Sequence, residues 1–478
     1  MSIVSSRSRA LPPSIYWLSL CSFAFGLCEF IAAGLLTPMA RDLHAGVAAT
    51  GGAIAAYALG AAIGAPILTA MLARLPTRQV LVASMLVLAA GSVAMAQAPA
   101  LGALLGDELD GPRGRIYLIK QVLEGVEPTR KTQMHLDRCL TCRSCETTCP
   151  SGVQYGHLID IGRKLVDAKV ARPAMESTVR WALKEGLPSP LFGPAMALGQ
   201  SVRGLLPAAL KAKVPERQAA GVWPTATHAR TVLMLEGCVQ PSMKPNINSA
   251  TARVLDAAGI QTVVAKKAGC CGAVKFHLND HDGGKAEMRR NIDAWWPFVD
   301  QPGLEAIVMN ASGCGVTVKE YGYHFQDDPA YAAKAARISA LTRDISELLP
   351  DLVAALKPKV NAALAAQAGQ IAFHPPCTLQ HGQQLRGGVE QHMSDLGFHI
   401  KVTSCEAHLC CGSAGTYSVL QPELAYQLRD RKLGHLGDMQ PAVIASANIG
   451  CITHLQSGTT TPVRHWVEVL DEVLAQSD

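Results

Sequence analysis

The chain has 478 residues, 49% of them hydrophobic, with a formal net charge of +5 and 15 cysteines. That length exceeds what one core serves, so roughly two to four domains are expected. No basic block is long enough to suggest a nucleic-acid partner, and clustered thiols in so long a chain read as metal binding in a reducing compartment, not as a secreted disulfide scaffold.

Residues 1–106 carry only seven charges, at Arg7, Arg9, Glu29, Arg41, Asp42, Arg74 and Arg78. Three stretches in this region, about Tyr16–Met39, Ala45–Ala73 and Gln79–Leu105, reach the roughly 20 apolar residues that a bilayer-spanning helix needs. Glu29 is the only charge within them, and Gly, Ala and Ser are dense, as where helices pack closely in lipid. A three-helix transmembrane-like segment is expected, with Cys21 and Cys28 as small apolar residues. Gly26-Leu-Cys-Glu-Phe-Ile-Ala-Ala-Gly-Leu-Leu36, Gly64-Ala-Pro66 and the Arg74-Leu-Pro-Thr-Arg78 loop resemble the first three helices of a major facilitator superfamily transporter. That family uses two pseudo-symmetric halves, so three helices alone do not build a transport path.

From Asp107 charges become frequent. Cys139-x2-Cys142-x2-Cys145-x3-Cys149, closed by Pro150, has the bacterial ferredoxin spacing for a cubane iron–sulfur cluster. Three of these thiolates wrap one cluster and the fourth normally serves another, which calls for a second motif; the sequence holds none. Residues 107–165 therefore read as a 4Fe-4S ferredoxin-type module. Residues 166–226 read as an amphipathic helical linker, broken at Pro188, Pro190 and Pro194, with a role in contacting partner subunits.

The rest is an internal duplication. Cys238, the Cys270-Cys271-Gly272 triplet and Cys314 recur as Cys377, Cys410-Cys411-Gly412 and Cys451, offset by about 140 residues. Residues 227–345 and 346–478 are thus two related modules. A short apolar run precedes each cysteine site: Thr231–Leu235, Thr262–Ala265, Ala306–Met309, Ile371–Phe373, Ile400–Val402 and Ala442–Ala445. Such runs, with helical stretches between them, predict βα units, and open α/β sheets bind ligands just past the carboxyl ends of their strands. Gly272 and Gly412 are expected to take positive φ or to let the backbone approach a bulky group. Cys405, outside the repeat, reads as a small buried hydrophobe. The fold class is mixed α/β: the transmembrane-like segment, a helical ferredoxin-like module and two cysteine-rich α/β modules.

Residues 106–165 and 231–460 resemble the iron–sulfur subunit of bacterial glycolate oxidase (glycolate dehydrogenase). The resemblance rests on Gly106-Asp-Glu-Leu-Asp-Gly-Pro-Arg-Gly-Arg-Ile-Tyr117, on His135–Val153 around the ferredoxin cysteines, on Asn310-Ala-Ser-Gly-Cys-Gly315 and on His374-Pro-Pro-Cys377. The Cys-Cys-Gly repeat is less specific and recurs in heterodisulfide reductases and lactate-utilisation proteins. The resemblance implies electron transfer. A separate FAD-containing subunit oxidises glycolate to glyoxylate, and the iron–sulfur subunit passes electrons towards the quinone pool at the cytoplasmic face of the bacterial inner membrane. This chain then needs neither a general base nor a flavin pocket, and it has no Gly-rich dinucleotide fingerprint. The implied metal ligands are Cys139, Cys142, Cys145, Cys149, Cys238, Cys270, Cys271, Cys314, Cys377, Cys410, Cys411 and Cys451, for 4Fe-4S and further iron–sulfur clusters.

The chain departs from that family in several places. The family's first ferredoxin motif would fall where Ala98–Leu105 stands, so one cluster is expected to be missing. Cys149 then replaces the lost remote ligand only if its loop rearranges; a three-iron cluster is the other outcome. Related modules often end in Cys-x-x-Cys, but the last position here is Thr317 or His454, which makes His454 a candidate auxiliary ligand. His381 and His408 either hydrogen-bond cluster sulfur or pack. Arg113 and Arg115 either support a cluster or partner, or start a helix. Topology adds a conflict: Arg7, Arg9, Arg74 and Arg78 should be cytoplasmic, and the third span would then carry the cysteines to the opposite side. The alternative to a working subunit is a non-functional chimera of a truncated transporter and an iron–sulfur subunit lacking its first motif.

Overall fold

The computed structural model describes residues 109–477. The transporter-like segment lies outside them, and no helix among the described residues is long and apolar enough to cross a membrane.

The ferredoxin motif sits in a helical module built from Pro112–Leu123, Arg130–Asp137, Ser144–Thr147 and Tyr155–Lys169. Pro112 starts the first helix, where its missing N–H costs nothing. Thr129 and Thr132 cap the second reciprocally. Ile119, Leu136, Tyr155, Ile159 and Val166 form the module's core. Tyr155–Lys169 runs through the expected boundary at 165. The helices Ala174–Gly186 and Phe192–Ser201 follow, then an extended passage without regular structure over 215–228.

Two four-stranded parallel sheets make up the rest. Strands β1 (Arg230–Met234), β2 (Ile260–Val263), β3 (Leu304–Met309) and β4 (Thr342–Asp344) lie in the order β2-β1-β3-β4. Strands β5 (Ile371–His374), β6 (Ile400–Val402), β7 (Val443–Ser446) and β8 (Val463–His465) repeat it as β6-β5-β7-β8. Val232 stands opposite Thr262 and Ala306, and Phe373 opposite Val402 and Ala445. All six apolar runs that precede cysteines form strands. The edge strands β4 and β8 were not foreseen, because Thr-Arg-Asp and Val-Arg-His are too short and polar to show a periodic pattern.

Both faces of each sheet are covered, as parallel sheets require. In the first, Val232, Ala306 and Val308 point into one core and Leu233, Ile307 and Met309 into another, following the two-residue alternation of a strand. The core behind Val232 is continuous with Ile371, Phe373, Ala445 and Trp466 of the second module. The helix Asn246–Ala257 packs there on Trp466–Ser477. Arg253 pairs with Asp471 across this seam, Nε to Oδ1 at 2.8 Å.

The strand order reverses between β1 and β3, and again between β5 and β7. At such a switch point the two connections leave in opposite directions and open a crevice at the carboxyl edge. Cys238 and Cys314 follow β1 and β3, and Cys377 and Cys451 follow β5 and β7.

Candidate metal centres

In the ferredoxin loop, Thr141 and Arg143 have left-handed backbone, φ 51° and 58°. Alternating hand turns successive N–H groups inward, the concavity that cradles anionic clusters. The Thr141 N–H donates to Cys139 Sγ at 3.4 Å, and Tyr155 Oη donates to the same sulfur at 3.7 Å. Burial, with Cys377 and Cys139 nearby, pushes the Cys142 thiol up to about 12. Burial, with Cys142 and Cys139 nearby, does the same to Cys145. These three thiols therefore lie within electrostatic reach of one another. Cys149 stands apart: the N–H groups of Val153, Ser151 and Gly152 face its sulfur and lower its pKa. Arg163 ties the loop down through the carbonyls of Leu136 at 3.1 Å and Cys139 at 2.5 Å. Arg115 is buried against the His135 carbonyl at 2.7 Å, and Arg113 is exposed.

The repeat closes into two thiol chains. Cys238 neighbours Cys270, Cys270 neighbours Cys271, and Cys271 neighbours Cys314, each thiol perturbing the next. Cys377, Cys410, Cys411 and Cys451 are linked in the same order. The N–H of Gly272 donates to Cys270 Sγ and that of Gly412 to Cys410 Sγ, both at 3.4 Å. Both glycines have positive φ, +94° and +86°. The close approach they permit is to a helix backbone: a methyl group would lie 2.7 Å from the Gly284 carbonyl oxygen or 2.3 Å from that of Ala425.

The surroundings of the two chains differ. Around the first, Asn291 donates to the Cys270 carbonyl at 2.7 Å and Tyr321 to the Cys271 carbonyl at 2.8 Å. Beside the second lies Lys432, fully buried, donating to the Glu406 carbonyl at 2.7 Å and within electrostatic reach of Cys377, Cys411 and Cys410. Ile292 holds the equivalent place in the first module, at the same spacing from the cysteine pair.

His374, not singled out from the sequence, ends β5 with no exposed surface. Its ring nitrogens have no hydrogen-bond partner, a state that costs about 1–3 kcal/mol per buried group. A ligand nitrogen of His374 and the sulfurs of Cys411 and Cys451 all lie within 4.8 Å of one another. Burial, with Lys432 adding to it, lowers its pKa to about 3, so the ring is neutral. Its counterpart in the first module is Leu235, and that difference between the two copies was the signal available in the sequence.

The other histidines are committed elsewhere. His454 Nε2 meets the Ala425 carbonyl at 3.1 Å and its ring stacks on Tyr426. His381 Nδ1 meets Thr147 Oγ1 at 3.0 Å and Arg386 at 3.1 Å, and His408 is exposed. Cys405 is exposed too, which corrects its reading as a buried hydrophobe; it sits in a turn where its N–H donates to Thr403 Oγ1.

The ferredoxin loop faces the second thiol chain. Cys142 interacts electrostatically with Cys377 and Cys410. Tyr417, near both Cys410 and Cys139, donates to the Arg138 carbonyl at 3.3 Å. Free, clustered, mostly buried thiols with amide donors aimed at sulfur form a soft donor set that suits iron–sulfur clusters.

The chain matches the cysteine-rich domain family called CCG twice, over residues 232–319 and 371–456. It is 53% identical to the glycolate oxidase iron-sulfur subunit of Escherichia coli K12, over 78% of this chain and 90% of that protein. The chain belongs to the glycolate oxidase iron-sulfur subunit family. A probable member from Bacillus subtilis is 27% identical over 73% of this chain and 84% of its own length. Lactate utilization protein A of Exiguobacterium is 23% identical over 52% of this chain and 99% of its own. The family resemblance expected over residues 106–478 is thereby established; these comparisons lend no support to a transporter-like fusion.

Proposed function

We propose that this chain is the electron-transferring iron–sulfur subunit of a glycolate-oxidising enzyme, with the catalytic site on an FAD-containing partner. The observation that carries the reading is that the ferredoxin loop packs on the second repeat, Thr147 Oγ1 meeting His381 Nδ1 at 3.0 Å and Tyr417 donating to the Arg138 carbonyl at 3.3 Å, which brings the ferredoxin thiols beside the second thiol chain. Oxidation of glycolate to glyoxylate releases two electrons and two protons; the flavin takes both electrons, and iron–sulfur clusters supply one-electron acceptance when bound. Cys139, Cys142 and Cys145 would hold a 4Fe-4S cluster, and the two CCG thiol chains further clusters. This chain's residues fix the path: Arg163 holds the loop, Tyr417 spans the two sites, and glycine N–H groups stabilise thiolate charge. Electrons would leave to the quinone pool at the cytoplasmic face of the inner membrane. Trp181, Leu191, Leu198 and Leu205, exposed on the linker, supply apolar surface that a partner subunit would cover.

The test is iron and acid-labile sulfide analysis of the anaerobically purified full chain, with electron paramagnetic resonance. A reducible four-iron signal that disappears in Cys142→Ser supports the reading. A protein without iron or sulfide overturns it and favours the non-functional chimera.

A further inference from the structure

We infer that His374 is a nitrogen ligand of the iron–sulfur centre in the second module, which makes that centre mixed imidazole–thiolate and leaves the first all-thiolate. The inference rests on the proposed function only in taking the metal to be iron. Its geometric basis is separate. His374 is the only histidine among the described residues with both ring nitrogens buried and unpartnered. Buried polar atoms are almost always paired, and an exception points to a missing ion or water. A ligand atom of this ring, Cys411 Sγ and Cys451 Sγ lie within 4.8 Å of one another; ligands on one tetrahedral metal sit roughly 3.5–3.8 Å apart.

The chain is built to hold the ring there. His374 closes β5, at the switch point of its sheet, and Pro375 and Pro376 restrict the backbone between it and Cys377. The first module offers nothing similar, since Leu235 occupies the equivalent place in an apolar cluster. His454, the histidine nearest in sequence to Cys451, has Nε2 occupied by the Ala425 carbonyl. Replacing thiolate by neutral imidazole removes negative charge from a cluster and raises its reduction potential. The second centre would then be the better electron acceptor of the two modules.

The experiment uses the full chain, anaerobically purified, with histidine nitrogen-15 labelled, and pulsed electron paramagnetic resonance of the reduced protein. A triple variant, Cys139→Ser, Cys142→Ser and Cys145→Ser, is analysed for iron and sulfide beside it. Iron retained in that variant shows that the modules carry clusters, whatever the result for His374; its absence shows that they carry none and overturns the inference while leaving the ferredoxin-loop cluster standing. With iron retained, a strong nitrogen-15 coupling in the otherwise unaltered chain is expected. It should vanish in His374→Cys, which keeps the iron and shows a lower midpoint potential, and persist in His454→Leu. No directly bound nitrogen in the otherwise unaltered chain, a coupling that survives His374→Cys, or zinc in place of iron would overturn the inference. The first of these needs no variant, so misfolding cannot rescue the idea.

Discussion

Arg143, between two ferredoxin cysteines, grips Glu320 of the first CCG module with both guanidinium nitrogens, Nη2 reaching Oε2 at 2.8 Å. The pair is largely buried, at 10% and 20% side-chain exposure. Removing one partner of such a pair strands the other's charge, at about 3 kcal/mol. Glu320→Gln should lower the urea midpoint by that equivalent and loosen the ferredoxin module first. Matching protease sensitivity in Glu320→Gln and the parent would contradict this.

The same carboxylate sets an acid limit. Burial alone would raise the Glu320 pKa, but the His157 ring, 3.3 Å away, and the hydrogen bonds from Arg143 outweigh it and lower it to about 2. A folded value below the unfolded one of roughly 4.3 means that the unfolded chain binds the extra proton. This stability is fully present above that value and is lost as pH falls towards 2. Acid titration by circular dichroism should show this step, and Glu320→Gln should remove it.

A second titration acts in milder acid. His281 and His324 flank Phe276, with ring centroids 4.0 and 4.5 Å from it. Burial lowers both pKa values to about 4. Both rings are neutral when folded, so stability should fall as pH drops from about 6.5 towards 4. His324→Phe should flatten the dependence of melting temperature on pH between 7 and 5. An unchanged slope would argue against it.

Gly412→Ala should destabilise by more than about 2 kcal/mol, because it combines positive φ with a 2.3 Å contact to backbone that has no room to move. Gly434→Ala, where a methyl group meets nothing within 4 Å, is the control. Denaturant midpoints of the two variants decide the matter.

Lys432→Met tests the buried cation. Loss of a positive charge beside Cys377, Cys410 and Cys411 disfavours the reduced state, so the midpoint potential of the second module's centre should fall by on the order of tens of millivolts. Iron content should hold, because methionine fills a similar volume. A potential that does not move would mean that Lys432 only anchors the Glu406 carbonyl.

Much of this was legible in the residues. Each strand preceding a cysteine is built on a short, mostly apolar run, and the cysteine spacing repeats, so sheets and thiol chains followed together. Cys149 was expected to serve a different cluster, and its pKa is lowered by backbone N–H groups with no contribution from the other three thiols. His374 entered only as part of the His374-Pro-Pro-Cys377 tract and not as a ligand; the comparison with Leu235 is what exposes it. Cys405 was misplaced because cysteine's usual burial was applied to a turn. The Arg143–Glu320 pair, 177 residues apart in sequence, was beyond reach, since a charge in a sequence does not name its partner.

The seam between Asn246–Ala257 and Trp466–Ser477 bears on how the chain is born. Arg253 and Asp471 stand 218 residues apart, and the side of Asn246–Ala257 that meets Trp466–Ser477 stays uncovered until that second helix leaves the ribosome. Synthesis runs at roughly 5–20 residues per second, so that face waits on the order of ten seconds or more, exposed to chaperones. The seam between the two modules thus closes only after the second has been made.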